Sequence, residues 1–177
     1  MREYDFALVA TYQDAVTADK ACDIANELFS AGAEDCTVIT KGNAIIIEFD
    51  REAESYEQAL ISAIKNVNAV NGLNVKSVDE GQFVSLSDAA ELSHLTRSAL
   101  SKFSKGTRGD GKFPSPCLKA NSKAPLYEWK EVSSWLAGRD LIDTSIAVNA
   151  AITAKMNMAL ILKNGEFEGV SGLAAKL

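Results

Sequence analysis

The chain has 177 residues, enough for one large domain or two small ones, and its apolar share of 47% can fill real hydrophobic cores. No apolar run approaches bilayer length, and Met1-Arg-Glu-Tyr-Asp leads straight into a strand pattern, so neither a membrane span nor a leader is expected. Three widely spaced cysteines (Cys22, Cys36, Cys117) without a Cys-x-x-Cys pair suggest unpaired thiols in a reduced cytoplasm rather than a metal site.

The formal net charge is −6, but its distribution is uneven. Residues 1–80 carry six Lys/Arg against fifteen Asp/Glu, residues 81–139 nine against five, and residues 140–177 three against four. Between Arg97 and Lys123 there are seven basic residues and one acidic residue, Asp110. The cationic field is therefore local, and a nucleic-acid partner is compatible with an acidic chain.

In chain order, Tyr4 to Thr11 reads as a strand, and Thr17 to Ala31 as a helix with Ala21, Ile24, Ala25 and Leu28 on its inner face, capped by Thr17 and stopped by Gly32. Cys36 to Thr40 and Ala44 to Phe49 read as a hairpin around Lys41-Gly-Asn. Ser55 opens a second helix with Ala59, Leu60, Ala63, Ile64 and Val67 on one face; Gly72 ends it, and Leu73 to Val78 returns as a strand. The order β-α-β-β-α-β is the split βαβ, or ferredoxin-like, plan, which spans residues 1–80 and would serve dimerisation or sensing. Acidic helix surfaces, among them Asp19, Asp23, Glu27 and Glu57, read as a solvated face, and the strands lack the interleaved aromatic and basic residues that stack RNA bases. There is no phosphate loop, metal-spaced cluster or nucleophile–base pair, so no cofactor, metal or catalytic residue is expected and the chain reads as non-enzymatic.

After a short hinge, Asp79-Glu-Gly-Gln82, residues 81–139 form a second module. Ser87 to Leu92 has a hydroxyl in cap position and Asp88 in its first turn. Ser93-His94-Leu95 is a corner, and a second helix opens at Thr96. Ala99, Leu100 and Phe103 face inward there, leaving Arg97, Ser98, Ser101, Lys102 and Lys105 outside. Gly106 to Pro116, with three glycines and two prolines, is a loop with a positive edge. Cys117-Leu-Lys and Pro125 to Trp129 are expected to pair as a small β-wing. Trp129 to Leu136 starts a helix with Val132, Trp135 and Leu136 inward, both tryptophans serving as core anchors. His94, the only histidine, has no chemical partner beside it in the sequence.

Phe113-Pro-x-Pro116 and Trp129-x-x-Val132-x-x-Trp135-Leu136, after Leu86-Ser-Asp-Ala-Ala-Glu-Leu92 and Thr96-Arg-Ser-Ala-Leu-Ser101, resemble the MerR-superfamily winged helix-turn-helix of phage excisionases and AlpA-type prophage regulators. The resemblance covers about a third of the chain. It implies a second helix in the major groove, with Arg97, Ser98, Ser101 and Lys102 near bases beside Thr96 at the helix start. It also implies Lys105, Arg108, Lys112 and Lys119 near phosphates. The chain departs from the family in a longer Gly106–Lys112 loop and in Ser93-His94 where the family often has a glycine.

Asp140 to Leu162 carries apolar residues with no proline or glycine, and Asn164-Gly165 then turns the chain. The stretch 140–177 is expected to be a helical segment outside both cores and the main element of a homodimer, with 1–80 a further candidate. These readings combine into an α+β protein: a ferredoxin-like domain, a small winged helix-turn-helix and a C-terminal helix. The expected function is a cytoplasmic, sequence-specific regulator that binds double-stranded DNA, with no membrane partner. The alternatives are an excisionase-like accessory protein of a phage, mobile element or phage-defence system, and a sensor whose N-terminal half takes a small-molecule effector.

Overall fold

The computed structural model describes every residue except Ala15, Asn43, Glu80 and Glu166–Glu168, with Ser171 described by its backbone only. Asn43 of the expected hairpin turn and Glu80 of the expected hinge lie outside the described residues. The chain is mixed α+β with an antiparallel sheet. It divides into two compact units, Met1–Asp79 with Lys155–Leu177, and Glu80–Ala154.

The first unit runs β1 (Arg2–Tyr12), α1 (Ala18–Ser30), β2 (Cys36–Lys41), β3 (Ala44–Ala53), α2 (Tyr56–Ala69) and β4 (Leu73–Val78). Thr17 caps α1 by accepting the Lys20 N–H, and Ser55 caps α2 by accepting that of Gln58, each at 3.3 Å. The strand order is β2-β3-β1-β4, every neighbouring pair antiparallel. Strand period sends Phe6, Leu8 and Ala10 of β1 and Ile45, Ile47 and Phe49 of β3 into the core. Helical period adds Ile24 and Leu28 from α1 and Ala59, Leu60, Ala63 and Val67 from α2. Ala25, expected to face inward, is exposed.

One charged residue breaks the alternation. Arg51 continues the inward row of β3 and is buried, its guanidinium 4.8 Å from the Phe49 ring centroid. Its Nε and Nη2 donate to the two carboxylate oxygens of Asp35 at 2.8 and 2.7 Å, and Nη1 donates to Ser62 and Asn66 at 3.0 and 2.8 Å. Four acceptors satisfy a charge that would otherwise be prohibitive to bury. The Arg51 guanidinium holds the Asp35 carboxyl below the ordinary carboxylate range, while burial pushes the neighbouring Cys36 thiol upward.

The second unit begins with β5 (Phe83–Val84), α3 (Leu86–Ser93), α4 (Arg97–Ser104), β6 (Tyr127–Glu128) and α5 (Trp129–Ala137). Val84, Ala89, Leu100, Phe103, Tyr127, Trp129, Val132 and Leu136 form its buried cluster. Two expectations are corrected here. The cap of α3 is Ser85 rather than Ser87, in a reciprocal capping box: Ser85 Oγ accepts the Asp88 N–H and Asp88 accepts the Ser85 N–H. The wing is a single antiparallel bridge, Leu118 to Leu126. Lys119 has a left-handed φ of 50°, which ends the pairing after one step, Pro125 has no N–H to give, and Tyr127–Glu128 pair with Phe83–Val84 instead.

The C-terminal stretch is also corrected. It forms α6 (Thr144–Lys163) and α7 (Val170–Ala174), and α6 does not lie outside both cores. Its first half belongs to the second unit, where Leu141, Ile142 and Ile146 pack on the buried cluster and Ala150 is part of it. Its second half belongs to the first unit. Asn157 accepts the Val78 N–H at 2.7 Å and donates to the Val78 carbonyl at 3.2 Å, and Asn164 donates to the Val75 carbonyl at 3.2 Å. These amides occupy hydrogen-bonding groups of β4, an edge strand, and so guard it against foreign pairing. Contrary to the reading of apolar runs, α6 is long and apolar enough to cross a membrane by length and composition alone. Its interspersed Thr153 and Asn157 look polar in the sequence, yet both are buried in the protein.

Candidate nucleic-acid interface

The candidate surface is built on two short, well-terminated helices. The left-handed residue that closes α3 is His94, with φ 55° and ψ 23°. Its N–H returns to the Glu91 carbonyl and that of Leu95 to Ala90, so two of the terminal α3 carbonyls are satisfied although no glycine is present. Buried Ser93 supports the corner by donating to the Ala89 carbonyl at 2.6 Å. Thr96 then caps α4 by accepting the Ala99 N–H at 3.1 Å. Of the expected site residues, Thr96 therefore has its hydroxyl oxygen engaged in local structure.

With Leu100 and Phe103 buried, the opposite face of α4 and its C-cap presents Arg97, Ser98, Lys102 and Lys105 exposed and Ser101 half-buried. Their spacing puts all five on one stripe about two turns long. Among the described residues no ion pair engages Arg97, Lys102 or Lys105. Lys130, by contrast, is paired with Glu128 at 2.7 Å, and that hydrogen bond raises its pKa.

The loop after α4 folds back on the helix end. The Lys102 carbonyl accepts the N–H of Thr107 at 3.0 Å and that of Arg108 at 3.2 Å, which places the exposed Arg108 guanidinium 4.9 Å from the Phe103 ring centroid. Lys112 is exposed farther along the loop, and Lys119 is exposed on the turn that follows the Leu118 bridge. Arg97, Ser98, Ser101, Lys102, Lys105 and Arg108 thus belong to α4 and its immediate continuation, whereas Lys112 and Lys119 sit on separate loop positions.

Sequence reasoning missed what holds this loop. Phe113 sets its ring edge-on to Trp135 at 5.2 Å and to Tyr127 at 5.8 Å, and Trp135 is edge-on to Phe103 at 5.1 Å. The Arg139 guanidinium lies 3.8 Å from the Trp135 ring centroid. It donates through Nη1 to the Trp135 carbonyl at 3.0 Å and through Nη2 to Asp110 at 2.5 Å. The other Asp110 oxygen accepts the Lys112 N–H at 3.2 Å. The Lys112 N–H and the Arg139 guanidinium together lower the Asp110 pKa. The detectable signal was that Asp110 is the one acidic residue between Arg97 and Lys123. Trp135 Nε1 is a buried donor without a hydrogen-bond partner in this cluster.

Among the described residues no group of three or more His, Cys, Asp or Glu could hold a metal ion. Comparison with protein-family models, with curated proteins and with solved structures finds no match for the chain.

Proposed function

We propose that the chain is a sequence-specific regulator of transcription that binds double-stranded DNA without catalysis, acting as a cytoplasmic homodimer. The observation that carries this reading is the exposed face of α4. Arg97, Ser98, Lys102 and the C-cap Lys105 are exposed there, with Ser101 half-buried beside them, on a helix whose other face is buried and whose N-terminus is capped. In this reading α3, the His94 corner and α4 are the helix-turn-helix. Arg97, Ser98, Ser101 and Lys102 read major-groove edges, while Lys105, Arg108, Lys112 and Lys119 set the register on phosphates. The Phe113 and Trp135 packing supports the resemblance to MerR-like and excisionase-like proteins, since both motif residues meet in one aromatic cluster. The strand order β2-β3-β1-β4 supports a ferredoxin-like plan for the first unit, which we assign to dimerisation or effector sensing.

The test is fluorescence anisotropy with labelled duplexes over a range of salt. Binding should weaken log-linearly with salt, with a slope of about −0.9 per phosphate contact. Absence of duplex binding at low salt would overturn the proposal. The excisionase-like motifs favour an accessory, DNA-bending role as the second reading; a large bend in a circular-permutation assay would select it over a simple repressor.

A further inference from the structure

Asp110 is a carboxylate in the middle of the basic stretch, where simple electrostatics would have it repel nucleic acid. Its surroundings give it a different role. One oxygen is held by the Lys112 N–H and the other by Arg139 at the end of α5, whose guanidinium is itself stacked on Trp135. Between these anchors Gly109 passes over the aromatic pair: a Cβ there would lie 3.4 Å from the Phe103 ring and 3.7 Å from Trp135, and its φ of 83° suits glycine. The loop is thus fastened at Thr107 and Arg108 to the Lys102 carbonyl, at Asp110 to Arg139 and at Phe113 to Trp135. Arg108 and Lys112 flank the central fastening.

We infer that Asp110 and Arg139 are positioning residues, a clip that presets the 106–116 loop so that Arg108 and Lys112 meet phosphates without first being ordered. This rests on the proposed DNA-binding reading. A preset loop avoids ordering entropy on binding, and that gain outweighs the repulsion of one carboxylate already neutralised by an arginine.

The two effects have opposite signs in one variant. Asp110→Asn removes a negative charge, so a purely electrostatic role predicts tighter binding to random-sequence duplex. The clip predicts binding about tenfold weaker at low salt, with a salt slope shallower by about one to two, as the Arg108 and Lys112 contacts are lost. The full chain and its Asp110→Asn and Arg139→Gln variants would be titrated by anisotropy. Hydrogen exchange without DNA should show faster exchange confined to 106–116 in both variants, which separates loop release from global unfolding. The Asp110→Asn/Arg139→Gln double variant should lose no more than the worse single one, because the pair acts as a unit. Tighter or unchanged binding by Asp110→Asn, or exchange in that loop equal to wild type, would overturn the clip alone. Failure of the wild type to bind any duplex would overturn the DNA-binding reading with it.

Discussion

Asn157 offers a severe test of how α6 is integrated into the first unit. Its amide both accepts from and donates to the backbone of Val78, and both residues are buried, Asn157 at 6% and Val78 at 2% exposure. Asn157→Leu keeps the volume but leaves a buried N–H and a buried carbonyl without partners. Each such group costs about 1–3 kcal/mol, offset by about 1 kcal/mol of added apolar burial, so a net loss of about 1–5 kcal/mol is expected. In a chain of this size that lowers the melting temperature by roughly 2–20 °C. Asn157→Asp separates the two halves of the contact. At neutral pH its carboxylate still accepts from Val78 N–H but faces the Val78 carbonyl, a repulsive and desolvated arrangement. That raises its folded-state pKa above the unfolded value of about 3.9, so the variant gains stability relative to wild type as pH falls. Once protonated, its hydroxyl can donate to the carbonyl and restore both bonds. Urea denaturation followed by far-UV circular dichroism between pH 7 and 4 measures both effects. A loss under about 0.5 kcal/mol for Asn157→Leu, within the usual range of surface substitutions, would refute the docking of α6 on β4.

His94→Gly should stabilise the second unit by about 1 kcal/mol in thermal melts, because a side chain at φ 55° carries a left-handed penalty that glycine lacks. Asp35→Asn should cost about 2–3 kcal/mol at neutral pH by weakening the Arg51 network. It should also flatten the acid limb. Asp35 has a folded-state pKa below its unfolded one, so its contribution is complete above about pH 5 and is lost as pH falls through the folded value; an unchanged acid limb would contradict the pairing. Arg97→Ala should reduce discrimination at one or two base pairs by about 1–3 kcal/mol, and an unaltered ratio of specific to random binding would remove it from base reading. Lys112→Ala should weaken all duplexes alike and flatten the salt slope by about one unit.

Much of the fold was legible because it rests on local rules. Thr17, Ser55 and Thr96 lie at true helix caps, and the inner face expected of α2 is buried at every position. What escaped depends on partners distant in sequence. Ser85 and Ser87 are equally good caps by residue type, and only the reciprocal bond with Asp88 selects the first. The wing was overestimated because two extended stretches flanking a turn look like a hairpin, whereas Tyr127–Glu128 take a partner more than forty residues upstream. The α6 helix is apolar on several sides, so its pattern could not show which face docks; the bonds of Asn157 to Val78, 79 positions away, do so. Arg51 reads as one more surface charge until Asp35, Ser62 and Asn66 converge on it. In the candidate interface the cationic stripe on α4 was visible from periodicity, but the loop's fastening was not, since Asp110 and Arg139 are 29 residues apart.

Selection of bound sequences from a random pool of double-stranded DNA by the full chain tests sequence-specific recognition directly. Enrichment of a defined motif is expected, with two inverted half-sites for a homodimer spaced by about one helical turn. Arg97→Ala should relax that motif at one or two positions. A pool that stays random after repeated rounds with the folded chain would contradict sequence-specific DNA recognition.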